Sequence, residues 1–272
     1  MTSTFLFAGC DNKNDPSKGV AFGDLSSDDV FWNGWKETFN DLNIGFSYDK
    51  ITEIHFFLKE DFTNSGSSDY YNDTYKTIND GNIKIYKDSY RIAFVSPNTI
   101  WADASCEKMF YGCTNLKEIE FSNFNVYYVT DMSYMFAECK NFLGLGNFSG
   151  GNQVTYMYAM FQNCSSLTKI DGITCKNVTN MDFMFSGCSN LTTVTMGGSA
   201  AQSTSNVTSM DAMFFGCLNL TSLNLGSYFK TQNVTDMSGM FQQCRALSKL
   251  NLSMFDTSKV TTFYQMFYNC SN

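Results

Sequence analysis

An eleven-residue clause returns along the second half of this 272-residue chain. It reads VTDMSYMFAEC at 129–139, VTNMDFMFSGC at 178–188, VTSMDAMFFGC at 207–217 and VTDMSGMFQQC at 234–244. Seven Met-Phe pairs follow one another at steps of 24 to 29 residues, beginning at Met109, Met135, Met160, Met184, Met213, Met240 and Met266. A period of this length is typical of units that bury their apolar faces only against their neighbours. It therefore predicts a repeat solenoid.

Each unit combines two apolar spacings. Its second part has the form L-x-x-L-x-L, as in Leu220, Leu223 and Leu225, and ends in the alternation of a half-buried strand. Equivalent segments predict parallel strands near 116–121, 167–172, 191–196, 220–225 and 247–252. In the clause, apolar residues lie at i, i+3, i+6, i+7 and i+10, which is helical spacing. We therefore expect a leucine-rich-repeat-like coil of about 26 residues with one short strand and short helical turns.

Seven of the ten cysteines share one position, three residues after the Phe of each clause. They are Cys113, Cys139, Cys164, Cys188, Cys217, Cys244 and Cys270. We interpret them as a structural ladder of small buried thiols. Disulfides between neighbouring units are permitted by distance, but an odd number leaves one cysteine out. Zinc is disfavoured because the chain has a single histidine and no C-x-x-C, so we expect no metal and no cofactor.

Together, V-T-x-M-x-x-M-F-x-x-C and L-x-x-L-x-L resemble the BspA-type leucine-rich repeat, a 26-residue repeat also described in mycoplasma lipoproteins and gut bacterial surface proteins. The resemblance covers about residues 100–272. It implies a bacterial protein at the cell surface or secreted, with a role in adhesion and host interaction. No catalytic residues come with the family.

The sequence divides into three segments. Residues 1–19 begin with an apolar stretch. The end of this stretch, Leu6 to Cys10, resembles a lipoprotein signal in which Cys10 is lipidated, and a polar tether follows it. An ordinary apolar start is the alternative. Residues 20–105 form an α+β capping region, and 106–272 hold seven repeats, of which the last is truncated. Either more repeats follow it, or its face is unusually exposed.

Within the capping region, SSDDVFWNGWKETFNDL (26–42) has apolar residues at helical spacing after a capping start. We expect a helix that shields the first coil, with aromatic recognition by Trp32 and Trp35 as the alternative. The single histidine, His55, lies in an apolar run and is interpreted as structural. An enzyme with its active site in 20–105 is the third hypothesis.

The net charge disfavours some classes of partner, and the aromatic residues that vary between units are candidate contacts for others. The formal net charge of −8 disfavours nucleic acid and anionic lipid, and no apolar run is long enough to span a bilayer. We therefore predict a non-enzymatic surface or secreted binding and adhesion module for a protein or glycan on host or neighbouring cells, with membrane contact only through a lipid anchor. The alternative is a soluble interaction scaffold without an anchor. Aromatics outside the buried pattern are the candidate contacts: Tyr111, Tyr127, Tyr128, Tyr156, Phe215, Tyr228 and Tyr268.

One step between units is longer than the others. Between Met184 and Met213 lies GGSAAQSTSN (197–206), whose composition is that of a loop. We expect the extra residues to bulge outward without packing, while Val194 and Val207 keep their core positions.

Overall fold

The computed structural model describes residues 30–32, 50–64, 73–78, 83–87, 90–102, 104–146, 148 and 150–270. Short strands dominate this part of the chain. In chain order they are β1 Val30–Trp32, β2 Glu53–Leu58, β3 Asp73–Ile78, β4 Ile83–Lys87, β5 Arg91–Ser96, β6 Ile100–Ala102, β7 Glu118–Glu120, β8 Phe124–Asn125, β9 Lys169–Asp171, β10 Thr193–Met196 and β11 Ser222–Leu225. Within the described ranges, α1 spans Lys59–Asn64 and a 3-10 turn spans Ala200–Gln202.

A five-stranded sheet precedes the repeats and leads into them. Its order is β3-β4-β5-β2-β7, with β4 antiparallel to β3 and β5, and β2 parallel to β5 and β7. On one face, Ile54 and Phe56 join the core that continues through the repeats. On the other face, Phe62 of α1 packs against Ala93 and Val95. The sheet therefore covers the first repeat through its strands, because β7 already belongs to that repeat.

A second, parallel sheet has the order β1-β6-β8. Val30 pairs with Ile100 and Trp32 with Ala102. The helix predicted for 26–42 is therefore wrong at residues 30–32, and the rest of that segment lies outside the described residues. The edge of β6 offers backbone N–H and C=O groups that need partners, and a strand satisfies them where a helix would satisfy only itself.

The strands of the later repeats stack in parallel as the sequence predicts. In the sheet β9-β10-β11, Ile170 aligns with Val194 and Val194 with Leu223. Strands form within four of the five predicted segments. Segment 247–252 forms none, and neither does 142–146 in the second unit, where the sequence is FLGLG. Glycine weakens strands, so β7 and β9 belong to different sheets.

The clause folds as a run of turns, and the predicted helical turns are wrong. Along Tyr134–Cys139, every second amide donates to the carbonyl three residues earlier, at 3.0–3.2 Å. The amides between them donate to carbonyls of the next unit, at 2.8–2.9 Å. A helix would use all of these amides internally. Half of these amides instead bond to the neighbouring unit. The units are therefore joined by a second hydrogen-bonded ladder along the turns, in addition to the ladder between the strands.

Two residues in each run of turns have positive φ, one before the Met of Met-Phe and one before the Cys. The pairs are Lys108 and Gly112, Tyr134 and Glu138, Ala159 and Asn163, Phe183 and Gly187, Ala212 and Gly216, Gly239 and Gln243, and Gln265 and Asn269. A positive φ at the third residue of a four-residue turn is the mark of a type II turn. Repeated turns also return every third side chain to one face, which explains the spacing that resembled a helix.

The insertion at 197–206 packs against the units on both sides. Val194 and Val207 are buried as expected. The carbonyl of Ala201, however, accepts the amides of Cys175 and Lys176 at 2.9 and 3.1 Å. The buried Thr204 donates its hydroxyl to the carbonyl of Lys230 at 2.7 Å. The expectation of an unpacked bulge is therefore wrong, because buried backbone groups on both sides need these partners.

Candidate functional site

The buried part of the clause is occupied by contacts between units. At each of six junctions, the Phe amide of one unit donates to the Met carbonyl of the next at 2.8–2.9 Å. The two Phe rings at each junction stack at 5.4–5.7 Å between centroids. The rings belong to Phe110, Phe136, Phe161, Phe185, Phe214, Phe241 and Phe267. The clause therefore supplies core.

The clause cysteines lie beside this column as free thiols. From the second unit onward, each Sγ donates to the carbonyl of the Phe in the preceding unit at 3.0–3.2 Å. Burial raises the pKa of Cys113, Cys188 and Cys244 to about 12. Thiols that stay protonated are poor nucleophiles and poor metal ligands. Among the described residues, no three His, Cys, Asp or Glu side chains are grouped to hold a metal ion.

Four aromatic side chains from consecutive units touch one another on the outside of the turns. We call Tyr111, Tyr134, Tyr158 and Phe183 the aromatic row. The ring centroids are 6.5 Å apart for Tyr111 and Tyr134, 5.2 Å for Tyr134 and Tyr158, and 5.6 Å for Tyr158 and Phe183. At the first end, Lys108 Nζ lies 5.1 Å from the Tyr134 ring centroid. Such contiguous aromatic surface is a feature of interfaces.

Carboxylates lie next to the second end of the row. Asp182 accepts hydrogen bonds from Ser209 Oγ, from the Asp211 amide at 2.8 Å and from Asn180 Nδ2 at 2.7 Å. Partial burial, with the negative charges of Asp236 and Asp182, raises the pKa of Asp211. Burial, the hydrogen bond with Tyr134 and the nearby aspartates raise the pKa of Tyr158. The row is thus bordered by a lysine at one end and by aspartates at the other.

The other aromatic candidates are dispersed. Tyr127 and Tyr128 contact each other at 5.1 Å between ring centroids, and Tyr128 packs on Trp101 at 5.5 Å. Phe215 is half-buried. The remaining candidates are exposed in separate places: Tyr156, Tyr228 and Tyr268. Of the seven, the structure brings Tyr111 alone into the row.

Sequence reasoning missed Tyr134, Tyr158, Phe183 and Lys108 as one site. The four residues of the row occupy three different positions of the clause. Tyr134 and Phe183 directly precede Met, Tyr158 lies one residue earlier and Tyr111 follows Met-Phe, so no single spacing connects all of them. A signal was present in part, because Tyr134 and Phe183 hold the slot before Met, where three other units have Ala or Gly. Large residues with positive φ stand out there.

His55 contacts neighbouring side chains of its own strand. His55 Nε2 lies 3.4 Å from Glu53 Oε2, and its ring stacks on Phe57 at 5.5 Å. These contacts fit a structural histidine. The lipidation candidate Cys10 lies outside the described residues. No helix in the described ranges has the length and apolar character to cross a bilayer.

A family comparison now bears on the repeats. The model described as "Mycoplasma protein of unknown function, DUF285" matches residues 104–197 and 194–272, well over half of the chain. The chain belongs to this family. The two matches meet within β10, so the DUF285 region coincides with the stack of turns and strands that carries the aromatic row.

Other comparisons add little to this DUF285 assignment. A crystal structure of a leucine-rich repeat protein from Eubacterium ventriosum ATCC 27560 is similar at a TM-score of 0.35 and 18% identity. The similarity covers 67% of this chain and 61% of that protein. No match was found among curated proteins.

Proposed function

We propose that this chain is a non-enzymatic binding and adhesion module of the bacterial cell surface, in which the stacked units form a leucine-rich-repeat-like solenoid. The aromatic row contacts a protein or glycan on a host or neighbouring cell. Cys10 is the candidate for a lipid anchor, and residues 20–105 cap the first unit.

The contiguity of the aromatic row carries this proposal. Packing between units accounts for the inward side of every clause, including the thiols, so a partner must be met by the outward positions. Tyr134 and Tyr158 are half-buried and held by ring contacts on both sides. Side chains that are already ordered lose little conformational entropy when a partner binds.

Binding of the labelled full chain to cultured animal cells and to bacteria tests the proposal. The double variant Tyr134→Ala and Tyr158→Ala is expected to reduce binding at least about tenfold, as loss of an aromatic hot spot does. Tyr228→Ala is the matched control, since Tyr228 is an exposed tyrosine outside the row. Protease or glycosidase treatment of the cells distinguishes a protein from a glycan partner. Undiminished binding of a folded double variant would refute the role of the row.

A further inference from the structure

A cavity of about 490 Å³ opens on the strand side of the molecule, away from the turns that carry the aromatic row. It lies where the stack of strands is interrupted between β7 and β9. Its lining includes His55 of β2, Glu118 and Glu120 of β7, and Lys169 and Asp171 of β9. Its volume is in the range of small-ligand sites. We call it the strand-side cleft.

Two glycines create the strand-side cleft. Gly144 and Gly146 lie five and seven residues after Cys139, as Glu118 and Glu120 do after Cys113. They therefore hold the outward-facing positions of the second unit but cover nothing. A Cβ added at Gly144 would meet no atom within 4 Å, and one at Gly146 would meet only the Ile119 carbonyl oxygen, at 3.6 Å. The chain leaves this space open at positions where its neighbouring units carry charged side chains.

The charges of the lining define what the cleft can hold. It carries three carboxylates, those of Glu118, Glu120 and Asp171, against the single ammonium group of Lys169. That ammonium group already pairs with Asp171 at 3.1 Å. A ligand that enters between the two walls therefore meets an excess of negative charge. A cationic group is favoured and an anion is disfavoured.

The spacing and the apolar lining narrow this class further. Glu118 and Glu120 are two residues apart on one strand face, about 6.6 Å along the strand. A planar guanidinium has donors on two edges and can serve two carboxylates, which a compact ammonium group does less well. Leu143, which is 49% exposed, lines the same space and offers apolar surface to an aliphatic stem. We propose that the strand-side cleft binds an arginine side chain presented by a partner protein.

Nuclear magnetic resonance of the full chain tests this inference, because His55 is the only histidine and its ring signals report on the cleft alone. Titration with acetyl-Gly-Arg-Gly-amide is expected to shift these signals saturably. The citrulline peptide, which has the same shape without the charge, is expected to leave them unchanged. Equal shifts with both peptides, or no shift with arginine, would overturn the proposal.

Variants locate the binding within the cleft. Gly146→Asn places a side chain in the space, and asparagine accepts the positive φ of this position. It is expected to abolish the saturable shift while thermal unfolding shows a folded chain. Glu118→Gln is expected to weaken binding about fivefold, the worth of one exposed charge pair. Glu60→Gln, on α1 outside the lining, is the matched control. Unchanged affinity in both cleft variants would overturn the proposal, whereas the aromatic-row double variant should bind the peptide normally.

Discussion

At the residue scale, the recurring cysteine acts as a hydrogen-bond donor. Each thiol from Cys139 onward donates to a Phe carbonyl of the previous unit. The same carbonyl also accepts the Cys amide of its own unit, so the thiol adds a second hydrogen bond to it. Burial keeps these thiols protonated by raising their pKa. The slot needs a small side chain with a weak donor, which cysteine provides.

Burial also orders the cysteines by reactivity. Cys270 is half-buried, whereas the clause cysteines from Cys113 to Cys244 are buried. With iodoacetamide under native conditions, we expect Cys270 to be labelled first and the others after addition of denaturant, since thiolate character and access control the rate. Mass spectrometry of peptides from 106–272 measures this. Uniform rapid labelling would place the cysteines on the surface, and failure to label after unfolding would indicate disulfides.

Phe214 and Phe215 provide a matched pair of neighbours. Phe214 is fully buried and stacks between Phe185 and Phe241 at 5.5 and 5.7 Å, while Phe215 is half-buried. We expect Phe214→Ala to lower the free energy of unfolding by about 3–5 kcal/mol, the range for emptying a buried Phe site. Phe215→Ala should cost about 1 kcal/mol or less. Urea denaturation of both variants measures these losses. Equal losses would mean that Phe214 is not the inward-facing residue of the pair.

At the element scale, the run of turns requires a positive φ at fixed positions, and the residue types at these positions indicate it only in part. The residue before each cysteine has positive φ, as Gly216 does at +69°. Asn163 and Asn269 occupy the same slot in other units at +59°. Glycine and asparagine tolerate this conformation better than other residues.

A substitution at Gly216 measures the free-energy cost of the positive φ without a steric clash. A Cβ there would meet Gly187 atoms at 3.8 Å, an ordinary contact. Gly216→Ala should therefore lower the free energy of unfolding by about 1–2 kcal/mol, the cost of a left-handed residue with a side chain. Gly216→Asn is the control and should cost less. Chemical denaturation measures both, and a neutral alanine variant would show that the turn relaxes to another conformation.

At the scale of the whole molecule, the buried thiols make stability depend on pH. A thiol with a folded pKa of about 12, such as Cys188, favours the folded state fully below its unfolded pKa of roughly 8.5–9. That contribution is lost progressively as the pH rises toward 12, because the unfolded chain releases the proton first.

Alkaline denaturation therefore tests the buried ladder as a whole. We expect the free energy of unfolding to fall steeply from about pH 9 to about pH 11. In this range the thiols of the unfolded chain ionise, whereas those of the folded chain stay protonated. Cys188→Ala should lower the slope by about 1.4 kcal/mol per pH unit, a difference that tyrosine and lysine titration cannot produce. Equal slopes for variant and parent chain would show that this thiol is not held protonated by the fold.

The sequence by itself determined the period, the parallel strands in four segments and the inward side of the clause. These follow from spacing alone, because each unit repeats the same apolar positions and buries them against identical neighbours. The Met-Phe column and the buried cysteine positions can therefore be predicted from the repeated sequence.

Tertiary structure decided the rest. Whether the clause forms a helix or turns depended on where alternate amides go, and their acceptors belong to the next unit. The strand Val30–Trp32 formed because β6 offered an edge about seventy residues away in sequence. The aromatic row joins residues from different units at unequal positions. The strand-side cleft joins equivalent positions of three successive units with His55 of β2. Spacing within one unit carries no information about them, since only stacking brings such side chains into contact.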